Sequence, residues 1–183
     1  MAERPSQGRA TLPNFISPEL ATLVGNAPEG DSWLHEIKFD GYRTATRIEG
    51  GKVRLLTRTD LDWTARFRPI ATALASLRVK TAYLDGEVAI LGPDGLTSFA
   101  ALQDALSKGH AADLVYFAFD LLHLDGLDLT PLQLIERKAT LKKTAKRKFR
   151  QCLATPTPER SAKYRPRTGA GGRRLAVCWS GRW

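Results

Sequence analysis

The stretch Tyr42–Arg58, YRTATRIEGGKVRLLTR, holds two short runs rich in β-formers on either side of Gly50-Gly51. A diglycine in that position fits a two-residue hairpin turn, whose central residues take positive φ. The spacing therefore predicts two antiparallel strands. Working outward, WTARFRPIATALASL (63–77) places Phe67, Ile70, Leu74 and Leu77 on one helical stripe. TAYLDGEVAIL (81–91) reads as a strand ending in the turn GPDG. SFAALQDALS (98–107) reads as a short helix that Ser98 can cap, with Leu102 and Leu106 as core. DLVYFAFDLLHL (113–124) is too apolar for an exposed edge and reads as a buried strand. PLQLIERKATLKK (131–143) predicts a helix opened by proline. Upstream, SWLHEIKF (32–39) alternates as a strand, with Trp33, His35 and Ile37 facing one way and Leu34, Glu36 and Lys38 the other. The fold class expected is α+β, with largely antiparallel sheets and flanking helices.

The chain of 183 residues is expected to divide into an N-terminal segment (1–30), a folded domain (31–146) and a basic tail (147–183). Residues 1–135 carry 13 basic and 17 acidic side chains, whereas residues 136–183 carry 15 basic and 2 acidic ones. The net charge of +9 thus arises wholly in the last quarter and says little about the domain. The tail, rich in Pro, Gly and Arg without a sustained period, is expected to be disordered or unrelated in sequence to the domain. No apolar run suits a membrane span, and the first residues lack a secretory apolar centre, so a cytoplasmic protein is expected. Cys152 and Cys178 are isolated, and His35, His110 and His123 lack ligand spacing, which argues against a zinc site.

Next to the hairpin lies HEIKFDGYR, His35–Arg43, where Lys38 stands between Glu36 and Asp40. K-x-D-G-x-R fixes four identities in six positions, a pattern that chance supplies at roughly one position in 160,000. This stretch resembles the nucleotidyl-lysine motif of the covalent nucleotidyltransferases: ATP-dependent DNA ligases, RNA ligases and mRNA-capping enzymes. LPNFISPELATLV, VRLLTRTDLDWTARF, YLDGEVAIL, SFAALQDALS, FDLLHLDGLDL and PLQLIERKATL follow in the order found in the ligase domain of bacterial DNA ligase D, the end-joining repair ligase. The likeness covers about residues 12–146 and implies part of an ATP-grasp-like adenylation domain.

The resemblance implies a chemistry. The lysine amine attacks the α-phosphate of ATP, AMP passes to a DNA 5′-phosphate, and a 3′-hydroxyl displaces it to seal a nick. Lysine titrates at about 10.4, so nearby cations must favour the neutral amine. Flanking carboxylates alone would hold the ammonium form, and so they make sense if a cation shares the site. Position by position, the resemblance makes Lys38 the nucleophile and puts Glu36 at the adenine edge. Asp40 and Gly41 shape the turn, and Arg43 and Arg58 contact ribose and phosphate. Glu87 serves ribose or the metal, and Phe119 stacks on the purine. Where the family usually has glycine, this chain has Asp60. Plain structural readings stay open: Glu87 after an Asp-Gly turn, Phe119 in the core, Arg58 on a solvated strand, Asp120 as scaffold. ATP and Mg²⁺ or Mn²⁺ are the implied cofactors. Nicked or broken duplex DNA is the implied partner, with end-joining repair proteins beside it and a nucleoid location.

Two further family elements, an E-G-x-x-x-K strand and a K-x-K pair, do not occur in residues 140–183, nor does an oligonucleotide-binding domain. A truncated or frameshifted gene is the expectation that follows. Losing donors aimed at the developing phosphate charge costs about a hundredfold or more each, so the chain alone is expected to be impaired. An inactive remnant that binds AMP or DNA is the second reading, and an RNA ligase or capping guanylyltransferase the third.

Overall fold

The computed structural model describes residues 9–20, 33–36, 38–145 and 178–179. Two strands, β1 (Leu34–His35) and β7 (Cys178–Trp179), pair antiparallel. The remainder is built on one five-stranded antiparallel sheet of order β3-β2-β4-β5-β6, comprising β2 (Tyr42–Glu49), β3 (Lys52–Thr57), β4 (Thr81–Ile90), β5 (Leu114–Leu124) and β6 (Leu127–Asp128). Three helices, α1 (Arg68–Leu74), α2 (Phe99–Ser107) and α3 (Leu134–Ala145), complete the expected α+β architecture.

The hairpin β2–β3 turns at Gly50 and Gly51, whose φ values of 55° and 80° are both in the left-handed region that a tight hairpin needs. Period-two alternation gives the sheet two different faces. One presents Ile48, Leu55, Leu84, Val88, Tyr116 and Leu121, and against them pack Phe67, Ile70 and Leu74 around α1, Leu102 of α2 and Leu141 of α3. Each such fully buried side chain contributes about 1.5–3 kcal/mol, which makes this layer the principal core. The stripe expected of residues 67–77 is the one observed, and Ser98 caps α2 by accepting from the Ala101 N–H at 3.3 Å.

The other face carries Ala45, Leu56 and Tyr83, over which Leu12, Phe15 and Ile16 pack. Residues 9–20 therefore act as a strap across the sheet. The Ala10 N–H donates to the Gly126 carbonyl (2.8 Å), Arg47 Nε to the Pro13 carbonyl (3.1 Å) and the Ile16 N–H to the Tyr83 hydroxyl (2.9 Å). His123, nearly fully buried, bonds the Ala10 carbonyl through Nε2, so it is a packing residue.

Two local expectations change. Among the described residues of the strand foreseen over 32–39, only Leu34–His35 is strand, Ser32 and Ile37 lying outside the described residues. Beyond it the chain is drawn towards α2, because Thr97 Oγ1 accepts the Asp40 N–H (2.9 Å) and the Asp40 carboxylate accepts the Phe99 N–H (3.2 Å). The last helix begins at Leu134, not at Pro131. Asp128 binds both the backbone and the hydroxyl of Thr130, and Glu136 reaches back to the Gln133 N–H, so proline occupies the turn that precedes the helix. The strand expected over 81–91 is observed: β4 continues through Asp85-Gly86 to Ile90, so the alternative of a turn before Glu87 falls. The tail lies outside the described residues except for β7. Among the described residues no helix is long and apolar enough to cross a membrane.

Candidate nucleotide site

The loop entering β2 is set by a close approach. A Cβ on Gly41 would stand 2.2 Å from the Val88 carbonyl oxygen, so only glycine lets this backbone lie against β4. Gly41 therefore shapes the loop by proximity, and its N–H donates to Glu87. Lys38, three residues earlier, is exposed. Its charge nevertheless acts on Glu87, as does that of Arg43. Burial pushes the Glu87 carboxyl above its ordinary value, and the Gly41 amide, Arg43 and Lys38 each oppose that rise.

Register explains why these groups meet. Arg43, Glu87 and Phe117 are opposite one another on β2, β4 and β5 and form a row across the sheet. In the next row stand Ala45, Asp85 and Asp120. Arg43 leans along the face and grips Asp85 with both arms, Nε to Oδ1 at 2.7 Å and Nη2 to Oδ2 at 2.5 Å. Its guanidinium also lies 4.5 Å from the centre of the Phe119 ring. Phe119 owes that position to a β-bulge: Asp120 pairs Asp85 and Ala118 pairs Gly86, leaving Phe119 unmatched between them. Desolvation raises the Asp85 carboxyl, countered chiefly by Arg43.

Glu36 does not point at open solvent. Lys138 of α3 bonds both its carboxylate (2.5 Å) and the Phe119 carbonyl (2.6 Å), tying the motif to the bulge. Arg58 lies just beyond β3 and is exposed, in a turn closed by the Asp60 N–H on the Thr57 carbonyl (3.0 Å). Asp60 has φ 63°, the left-handed conformation for which glycine is the natural residue. Asp120 is a scaffold residue, held by Arg137 through two bonds of 2.9 and 2.8 Å.

A cavity of about 430 Å³ opens on this face, lined by Gly41, Arg43, Arg58, Trp63, Glu87 and Phe99 among others. Lys38 and Phe119 are not among the lining residues. A second cavity of about 190 Å³ lies under the strap and shares Arg43, Thr57 and Arg58 with the first. Two arginines and a half-buried carboxylate in an aromatic-walled cavity suit a ribose and phosphates. No group of three His, Cys, Asp or Glu among the described residues could hold a metal on its own. Mg²⁺ is commonly held by one or two carboxylates together with substrate phosphates, and Glu87 can supply such a carboxylate.

Sequence reasoning missed Asp85, Lys138 and the ring pair Phe39–Phe117. Their partners lie 42 residues away for Asp85 and 102 for Lys138, and no local pattern marks such pairs. Strand alternation could have found Asp85, which sits on the same face of β4 as Glu87.

An antiparallel sheet that carries two arginines and a half-buried carboxylate at one cavity has the make-up of a nucleotide-binding domain. Residues 18–160 match the family model of the ATP dependent DNA ligase domain, and the chain belongs to that family. The multifunctional non-homologous end joining protein LigD of Pseudomonas aeruginosa is 45% identical over 136 residues, covering 74% of this chain and 16% of that protein. A probable DNA ligase of Kineococcus radiotolerans is 35% identical over 169 residues, covering 90% of this chain and 33% of the relative. Mycobacterial DNA ligase D, solved in complex with ATP and MES, superposes with a TM-score of 0.65 at 30% identity over 76% of this chain and 46% of that one. The ligase domain of M. tuberculosis LigD gives 0.60 at 32% identity, covering 68% and 40%. The chain spans about a sixth to a third of the length of these curated relatives.

Proposed function

We propose that this domain is the nucleotide-accepting part of an end-joining, D-type ATP-dependent DNA ligase, with Lys38 as the residue that becomes charged with AMP. The Nζ lone pair attacks the α-phosphorus of ATP, the bond to the bridging oxygen breaks, and pyrophosphate leaves while the amine gives up its proton. A 5′-phosphate oxygen at a DNA nick then attacks the same phosphorus and breaks the P–N bond. Finally the 3′-hydroxyl displaces AMP and closes the backbone.

In this reading Arg43, preset by Asp85, and Arg58 hold ribose and phosphate, and Glu87 serves ribose or the Mg²⁺ that arrives with ATP. Glu36 borders the adenine, Asp40 and Gly41 fix the loop, and an aromatic of β5 takes the base, Phe119 being the one the resemblance points to. Cations beside the amine favour its neutral form and neutralise the phosphates together. Nicked or broken duplex DNA is the substrate, end-joining repair proteins are the partners, and the bacterial cytoplasm at the nucleoid is the setting. The observation that carries the proposal is the cavity on which Gly41, Arg43, Arg58 and the half-buried Glu87 converge, with Arg43 and Glu87 paired across β2 and β4.

A second reading, a fragment that binds nucleotide or DNA without chemistry, is favoured by the exposure of Lys38 outside the cavity wall. Incubation with α-labelled ATP and Mg²⁺, followed by denaturing electrophoresis, separates the two. Label on the wild type that Lys38→Ala loses supports the ligase reading; an unlabelled wild type supports the fragment. Labelling by GTP instead of ATP would redirect the assignment to a capping-type enzyme.

A further inference from the structure

Two consecutive cations of α3 reach back onto consecutive residues of β5. Arg137 holds the Asp120 carboxylate, and Lys138 donates to the Phe119 carbonyl at 2.6 Å. The same Lys138 ammonium bonds the Glu36 carboxylate at Oε1 (2.5 Å). Glu36 and Phe119, far apart in sequence, therefore meet on one charged group, and both are residues that the nucleotide reading assigns to the base. The side chains of Lys138 and Glu36 are only 19% and 12% exposed, a burial that such residues seldom accept unless paired. Desolvating two charges offsets much of their attraction, so the pair is a poor device for stability alone. Lys138 occupies one carboxylate oxygen of Glu36, and among the described residues nothing bonds the other.

We propose that Lys138 is a positioning residue for base choice: it fixes Glu36 so that the carboxylate oxygen left over accepts from the 6-amino group of adenine. The inference rests on the nucleotide reading above, in which Glu36 borders the adenine, and deepens it by naming the residue that aims the acceptor. A carboxylate offers acceptors only. The 6-amino group of adenine donates to it, whereas the 6-carbonyl of guanine sets a second acceptor against it and is rejected. By bonding the Phe119 carbonyl as well, Lys138 fixes the place of that acceptor relative to the β5 bulge. Lys138 itself touches neither base nor phosphate in this arrangement and acts through Glu36.

Isothermal titration of the full chain with ATP, purine riboside triphosphate and inorganic tripolyphosphate tests this, the second ligand lacking only the 6-amino group. Wild type is expected to prefer ATP to purine riboside triphosphate by about tenfold or more, as a hydrogen bond to a charged acceptor provides. Lys138→Met keeps the stem and removes the donors. It should cut that preference to about twofold or less and leave tripolyphosphate binding unchanged. Lys138→Gln, which removes the charge but stays polar, should lose the preference likewise and decides the matter if the Met variant does not fold. Glu36→Ala should lack the preference already, and adding Lys138→Met to it should change the ratio no further, because residues that act as one unit are not additive. A preference that survives loss of the Lys138 charge, or a weakening shared equally by all three ligands, overturns the positioning role. So does a further change of the ratio in the Glu36→Ala background. Wild type that binds ATP and purine riboside triphosphate equally well overturns it too, while leaving the nucleotide reading standing. Wild type that binds neither nucleotide overturns both.

Discussion

Glu87 is the residue at which fold and site make opposite demands. Its carboxylate is desolvated by the sheet it grows from and kept there by the Gly41 amide, Arg43 and Lys38. A group whose folded pKa is raised favours folding below its unfolded value and opposes it once ionised, so the penalty develops as pH rises above about 4.5. Glu87→Gln keeps the acceptor for Gly41 and removes the charge. It is expected to melt higher than wild type at pH 7, with the gap closing as pH falls to 4.5, while ATP binding weakens; thermal melts over that range and titration with ATP check both. Asp60 makes the converse case, a residue in a conformation suited to another. Asp60→Gly relieves its left-handed backbone, partly offset by a looser unfolded chain, and is expected to raise stability by less than about 1 kcal/mol in thermal melts. It also removes a carboxylate from the Arg58 turn, so phosphate-bearing ligands should bind more tightly. That glycine suits this position came from the resemblance, whereas the reason, a φ of 63°, was not legible in the sequence.

Elements were legible where their determinants are local. The β2–β3 hairpin follows from Gly50-Gly51, α1 from a four-residue apolar stripe, and the start of α2 from one serine. Illegible features depend on partners distant in sequence: the bulge that sets Phe119, the Arg43–Asp85 clamp, and Lys138 reaching back from α3 to Glu36. The Asp85-Gly86 dipeptide is typical of turns, yet β4 runs straight through it, as the strand reading of residues 81–91 has it. Glycine is needed there because a Cβ would stand 2.5 Å from the Tyr116 ring and 2.6 Å from the Phe117 carbonyl. Tyr116 cannot easily yield, being fully buried with its hydroxyl donating to the Thr44 carbonyl at 3.0 Å. Gly86→Ala is therefore expected to cost about 2–3 kcal/mol by overpacking, read as a lower urea midpoint, and to disturb Glu87 beside it.

Over the whole molecule, one sheet separates a helix-covered core from a face that is half strap and half cavity. The strap, residues 9–20, lies over the polar row at Arg43 and Asp85, and one of its anchors is the Tyr83 hydroxyl. Tyr83→Phe leaves the Ile16 N–H without that acceptor. The expected cost is about 1–1.5 kcal/mol, with faster proteolysis within residues 9–20 and a main unfolding transition that stays cooperative.

Chemistry at Lys38 remains the claim on which the functional account turns, and peptide mapping addresses it directly. The full chain is incubated with ATP and Mg²⁺, digested, and examined by mass spectrometry for AMP. The account predicts a single acid-labile AMP adduct on the Lys38 side chain, formed slowly and absent from Lys38→Ala. An adduct on another residue, or one that persists in Lys38→Ala, would contradict it.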